Sequence, residues 1–149
     1  PTVGDYFNDD LKKKFAEQHV TVGSVIKCFV KKTVPPKEKR FVVLGIDDSG
    51  NVIGVVFINS DINWKIHNTL ELARLQLFVR KEENDYLEWD SYIDCSDLIE
   101  LPKEEVVEAI IRKPANVLGR VTKEDLTSIL VFIRQSSKVT PKTLRKYRL

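Results

Sequence analysis

Long apolar runs are missing from this sequence. None approaches the ~20 residues that cross a bilayer, so no membrane span is expected. The opening PTVGDYFNDDLKKKF has no apolar segment of the secretory-signal kind. Cysteine and histidine are scarce, two of each in 149 residues. Cys28 and Cys95 sit inside strand-like runs without CxxC spacing. They read as two buried free thiols, which suits a reducing, cytoplasmic setting. A zinc site would need more ligands than these cysteines and the distant His19 and His67 supply, so no metal is expected. Phosphate-binding loops of the GxxxxGKS/T and GxGxxG kinds are absent, as are HExxH and GxSxG. Nucleotide-loop, zincin and serine-hydrolase chemistry therefore have no support, and no cofactor is expected.

What is present reads as one globular domain over residues 1–149. The chain is 42% hydrophobic and 31% charged, long enough to bury a real core and too apolar for general disorder. The net charge of +2 hides an asymmetry. Residues 134–149 carry six cations and no acid, leaving 18 cations against 22 acids elsewhere. A basic tail on an acidic body suits phosphates or an acidic partner, or is simply solvated. Composition leaves both open.

Hydrophobic spacing supplies the element order. Residues 5–18 predict an amphipathic helix, with Phe7, Leu11 and Phe15 on one stripe. His19 ends it as a surface or capping residue. SVIKCFV predicts a strand, and the loop KKTVPPKEK is kept out of the sheet by Pro35 and Pro36. RFVVLGID and VIGVVFINS, joined through Asp48-Ser49-Gly50-Asn51, carry a hairpin signal, and their nearly continuous apolarity predicts the sheet centre. DINWKIHNTLEL, residues 61–72, reads as a long polar loop. RLQLFVRK is a further strand, and SYIDCSDLIEL another with a bend near Ser96-Asp97. Pro102 and its following glutamates predict a helix start, which Lys113-Pro114 ends. Thr122 with Asp125 predicts the cap of a second helix burying Leu126, Ile129, Leu130 and Ile133. Thr140-Pro141 opens a basic terminal helix. A helix, about five closely spaced strands and then two or three helices predict an α+β fold, a small antiparallel SH3-like barrel with helices packed on it. Its parts are a helix at 5–18, the barrel at 22–101, helices at 102–135 and the basic tail at 136–149.

Arg40, where the charged loop meets an apolar strand, is either an ordinary strand-end charge or a cation fixed at the sheet rim for a phosphate. The order GSVIKCFV, KRFVVLGID, VVFINSDIN and YIDCSDLIELPKEEV resembles the MazF/PemK-like toxins over roughly residues 22 to 135. Gly23-Ser24-Val25 stands where that family has Gly-Asp-Val or Gly-Glu-Val. Arg40-Phe41-Val42-Val43-Leu44 stands for Arg-Pro and an apolar run, and Ile58-Asn59-Ser60-Asp61 for a strand ending in threonine. Phe41 thus replaces a proline and Ser60 a threonine. The N-terminal helix and basic tail lie outside the pattern.

The resemblance implies a homodimeric, cytoplasmic endoribonuclease that cuts single-stranded RNA without a metal and is held by an acidic antitoxin protein. It implies that Arg40 stabilises the phosphate, with proton transfer as a lesser role because a free arginine titrates above ~12. Ser60 would bond the same phosphate. Lys31, Lys32, Lys37 and Lys39 would track the RNA backbone, Trp64 would stack a base, and His67 would lie beside the RNA. The competing reading is a non-catalytic barrel that binds nucleic acid or a protein, in which these cations contribute affinity alone.

Overall fold

The computed structural model describes residues 9–63 and 69–149, and within them seven strands and five α-helices. Strands β1 (Ser24–Val30), β2 (Lys37–Ile46) and β3 (Val52–Asn59) run antiparallel, with Val25 opposite Val42 and Val42 opposite Val56. The β2–β3 turn is built by Asp47, whose Oδ1 accepts the backbone N–H groups of Asn51 and Val52 at 3.2 Å each. Gly50 takes φ +75° within it, a conformation that glycine adopts without strain. The central placement expected of β2 and β3 is the one observed.

The far edge of β3 pairs with two short strands in succession. Ile58 faces Ile93 of β5 (Ser91–Asp94), and Val55 faces Ile99 of β6 (Ile99–Pro102). The chain bends between them, at the expected Ser96-Asp97. Strand β4 (Gln76–Val79) adds to β5, and β7 (Val117–Arg120) to β1. The order is β4-β5-β3-β2-β1-β7, antiparallel throughout, with β6 on β3. This is the expected α+β class; no ladder from β4 back to β7 is among the described pairings.

Helices cover both faces of this sheet, which is why β2 and β3 are apolar on both sides. On one face, Val25, Val42, Leu44 and Val56 pack with Ile129 and Ile133 of α4 (Lys123–Gln135) and with Tyr147 beyond α5 (Pro141–Lys146). On the other, Ile26, Phe41, Val43 and Val55 pack with Ala16 of α1 (Asp9–His19), with Val20, and with Val106 and Ile110 of α3 (Lys103–Arg112). Each such side chain, fully buried, contributes about 1.5–3 kcal/mol. The caps follow their sequence signals: the Thr122 and Thr140 side chains accept from the N–H groups of Asp125 and Thr143. Pro102 sits one residue earlier than expected, at the cap itself.

Five expectations are corrected. Lys37, Glu38 and Lys39, expected in the loop outside the sheet, belong to β2, because the β1 edge pairs with them beyond the prolines. The 61–72 loop gives way at its end to α2 (Leu70–Arg74), capped by the Thr69 hydroxyl. Seven strands replace about five, because SYIDCSDLIEL is split by its bend into β5 and β6, and because β7 is only four residues long and carries no period of its own. In α1 the buried residue is Ala16, while Leu11 and Phe15 are 49% and 46% exposed, because packing against α3 selects the face; Phe7 lies outside the described residues. The basic tail is a docked segment: Val139 and Tyr147 are buried, while its cations face solvent.

Tyr147 docks on paired glycines. Gly45 and Gly54 are cross-strand partners, and a Cβ on Gly45 would lie 2.9 Å from both the Cβ and the carbonyl oxygen of Tyr147. The Tyr147 hydroxyl donates to Glu100 Oε2 at 2.5 Å, which Lys146 also reaches. Both cysteines are buried and free. Among the described residues, no helix is long and apolar enough to cross a membrane.

Candidate functional site

Residues 37–39 of β2 run past the last pair with β3, Arg40 with Ile58, and a hollow of about 430 Å³ forms there. Its wall includes Lys37, Lys39 and Arg40 from β2, Asn59 and Ser60 from the end of β3, and Trp89 from the turn before β5. Arg40 and Ser60, expected to share a phosphate, therefore line one depression. A smaller hollow of about 270 Å³ is also walled by Arg40, Lys39 and Trp89 and includes Lys27 and Glu88. Glu38 and Asp61 also face the larger hollow, so its three cations meet two acids.

Register places Arg40. It stands directly opposite Lys27 on β1 and Ile58 on β3, on the α4 side of the sheet. Its side chain is only 18% exposed, and its Nη2 lies 2.7 Å from Glu88 Oε1. Lys27 pairs with Glu38 at 3.2 Å. Two cations face each other across a ladder, an arrangement that costs stability unless each has a carboxylate, and here each has one. Arg40 is thus largely buried, with one exposed carboxylate on its guanidinium.

Lys39, one residue earlier, points to the opposite face, so the two line the hollow from the two sides of β2. Its ammonium donates to the side-chain oxygen of Asn59 and lies over the Phe57 ring, 5.0 Å from the centroid. Burial lowers its pKa from the ordinary 10.5 to about 8; the nearby Lys37 adds to the drop and Asp94 opposes it. A lysine held this way exists partly as the free amine near neutral pH and exchanges protons readily. That places a proton-transfer group in the same hollow as a fixed guanidinium.

The remaining sequence candidates divide. Lys37 lines the hollow. Lys31 instead pairs with Glu105 at 3.6 Å, and Lys32 lines a separate depression with Phe57 and Glu100, so neither is gathered with Arg40 there. Trp64 and His67 lie outside the described residues. His19 donates from Nδ1 to the Phe15 carbonyl, 2.8 Å away, as a helix-end residue. Sequence reasoning missed Glu88, Trp89 and Asn59 as parts of the site. Trp89, 54% exposed, is the one signal within reach, since an unburied tryptophan marks a contact surface.

A larger depression of about 590 Å³ lies between α1 and α3 near the hairpin turn, with Lys13 and Lys103 and the acids Glu17, Glu104 and Glu108 in its wall. Its charges do not converge on one chemistry. Among the described residues, no group of three histidine, cysteine or acidic side chains is placed to hold a metal.

Fold and site together define an α+β protein with a cation-bearing hollow at the open end of its central sheet. No protein-family model and no curated protein matches the sequence.

Proposed function

We propose that this protein is a metal-independent endoribonuclease acting on single-stranded RNA, on an SH3-like barrel of the MazF/PemK-like kind. The observation that carries the reading is the joint placement of Arg40, Ser60 and Lys39 around one hollow. In the reaction the RNA 2′-oxygen attacks the adjacent phosphorus. The new P–O2′ bond closes a 2′,3′-cyclic phosphate, the P–O5′ bond breaks, and the 2′-proton leaves to a base while O5′ gains one. Charge grows on the non-bridging oxygens, which a guanidinium meets with two parallel hydrogen bonds. Arg40 supplies that fork once the phosphate displaces Glu88, and Ser60 adds a hydroxyl donor. Lys39 as the free amine takes the 2′-proton, a role that a free arginine fills poorly. Lys37 adds backbone attraction. On the same reading the protein acts in the cytoplasm as a homodimeric toxin restrained by an acidic antitoxin.

One observation favours a second reading. Arg40 is already paired with Glu88 at 2.7 Å, and a neutralised guanidinium suits a non-catalytic module that binds nucleic acid or protein. Incubation of the protein with long single-stranded RNA in EDTA, beside Arg40→Ala, separates the two. Fragments ending in cyclic phosphate from the wild type alone support the nuclease. Intact RNA across varied substrates rejects it in favour of the binding module.

A further inference from the structure

Four side chains line up across four strands on the α1–α3 side of the sheet, beyond the part those helices cover. Phe78 on β4 is directly opposite Tyr92 on β5, and Tyr92 is directly opposite Asn59 on β3. Asn59 in turn bonds Lys39 on β2. Directly opposite residues share a face, and strands lie ≈ 4.8 Å apart, so the row extends about 14 Å from Phe78 to Lys39. The Phe78 and Tyr92 rings are 5.3 Å apart at 51°, and Phe78 is 48% exposed.

We infer that the Phe78–Tyr92 pair is a stacking platform for an unpaired RNA base next to the phosphate held at the Lys39–Arg40 hollow. The inference rests on the proposed engagement of single-stranded RNA and adds the place where a neighbouring base lies. A nucleotide needs a flat apolar face, donors for a carbonyl-bearing edge and a cation for its phosphate. The row offers these in order. Phe78 and Tyr92 give the face. The Asn59 amide, whose oxygen accepts from Lys39, has N–H groups as its remaining donors. Lys39 and Lys37 give the charge. Unpaired bases stack on sheet aromatics in this manner, and the contact tolerates any base because each has a π-face. A protein helix is a poorer occupant: it would bury two lysines and an amide beside only two aromatic rings.

The test is anisotropy with a labelled, mixed-sequence 2′-O-methyl oligonucleotide, which cannot be cut, and with an abasic oligomer of the same length. Phe78→Leu and Tyr92→Leu keep apolar volume and remove the ring. Each is expected to weaken binding of the base-bearing strand roughly 5- to 100-fold, leaving the salt dependence and the abasic affinity unchanged. Phe78→Tyr should bind as the wild type does. Circular dichroism guards against unfolding. Equal affinity of the leucine variants and the wild type overturns the platform, as does an equal loss on the abasic strand or a wild type that binds neither. So does unchanged RNA binding with an altered oligomeric state, which gives the face to a second copy of the chain. The two readings fail separately. Cleavage with ring-independent binding rejects the platform alone, and ring-dependent binding without cleavage rejects the nuclease alone.

Discussion

Arg40 and Lys27 stand directly opposite each other across the β1–β2 ladder, and each is held by its own glutamate. A cation pair in cross-strand register repels, so the site keeps its positive charge only because Glu88 and Glu38 offset it. The same pairing sets the terms on which an incoming phosphate competes.

Glu88→Gln is therefore expected to tighten binding of single-stranded RNA. Its side chain is 58% exposed, so the fold should tolerate the change. A freed guanidinium adds one phosphate contact, steepening the slope of log affinity against log salt by about 0.7. Titrations at several salt concentrations check this. An unchanged slope would mean that Arg40 does not meet the backbone.

Arg40→Ala should slow cleavage about a hundred- to a thousand-fold, the usual loss when one fixed donor to the developing charge is removed. Binding should fall less, since Lys37 and Lys39 remain. Single-turnover cleavage beside equilibrium binding separates the two effects.

Lys39 predicts a pH profile. If its amine takes the 2′-proton, cleavage rises with pH and levels off above about 8. Lys39→Met should flatten that rise. For stability the sign is fixed by the lowered pKa: the unfolded chain holds the extra proton between about 8 and 10.5. Stability from this group thus increases with pH across that window, and its full cost is present below about 8. Lys39→Met should then stabilise the fold at pH 7 by about 1 kcal/mol, discounted for the water that still reaches the ammonium. Denaturant melts at pH 7 and pH 10 test it; the gain should shrink at the higher pH.

Gly45→Ala should destabilise the protein by about 1–3 kcal/mol, because the added carbon would meet the Tyr147 backbone oxygen at 2.9 Å. Tyr147→Ala, which empties the same seat, should cost about 3 kcal/mol. Thermal melts should also show non-additivity when Tyr147→Ala is combined with Gly54→Ala, whose added carbon would lie 3.2 Å from the Tyr147 ring.

The sequence determined what local chemistry determines. Continuous apolarity placed β2 and β3 at the centre, the Asp/Ser/Gly/Asn run gave their turn, and Thr122 and Thr140 capped their helices. The position of Arg40, where charged residues meet an apolar run, marked it as a candidate. These features depend on backbone periodicity and on hydrogen bonds spanning a few residues, so a linear reading contains them. Tertiary structure decided the rest. Leu11 and Phe15 look like a buried stripe, yet α3 meets the other side of α1, and Ala16 is buried instead. The four residues of β7 form a strand only because the edge of β1 offers a ladder. Glu88 and Trp89 reach Arg40 from nearly fifty residues away, and burial, with Lys37 nearby, lowers the pKa of Lys39. The row from Phe78 to Lys39 exists only in the register of four strands. Register and burial arise from contacts between segments distant in the chain, and no local pattern encodes which of those contacts will form.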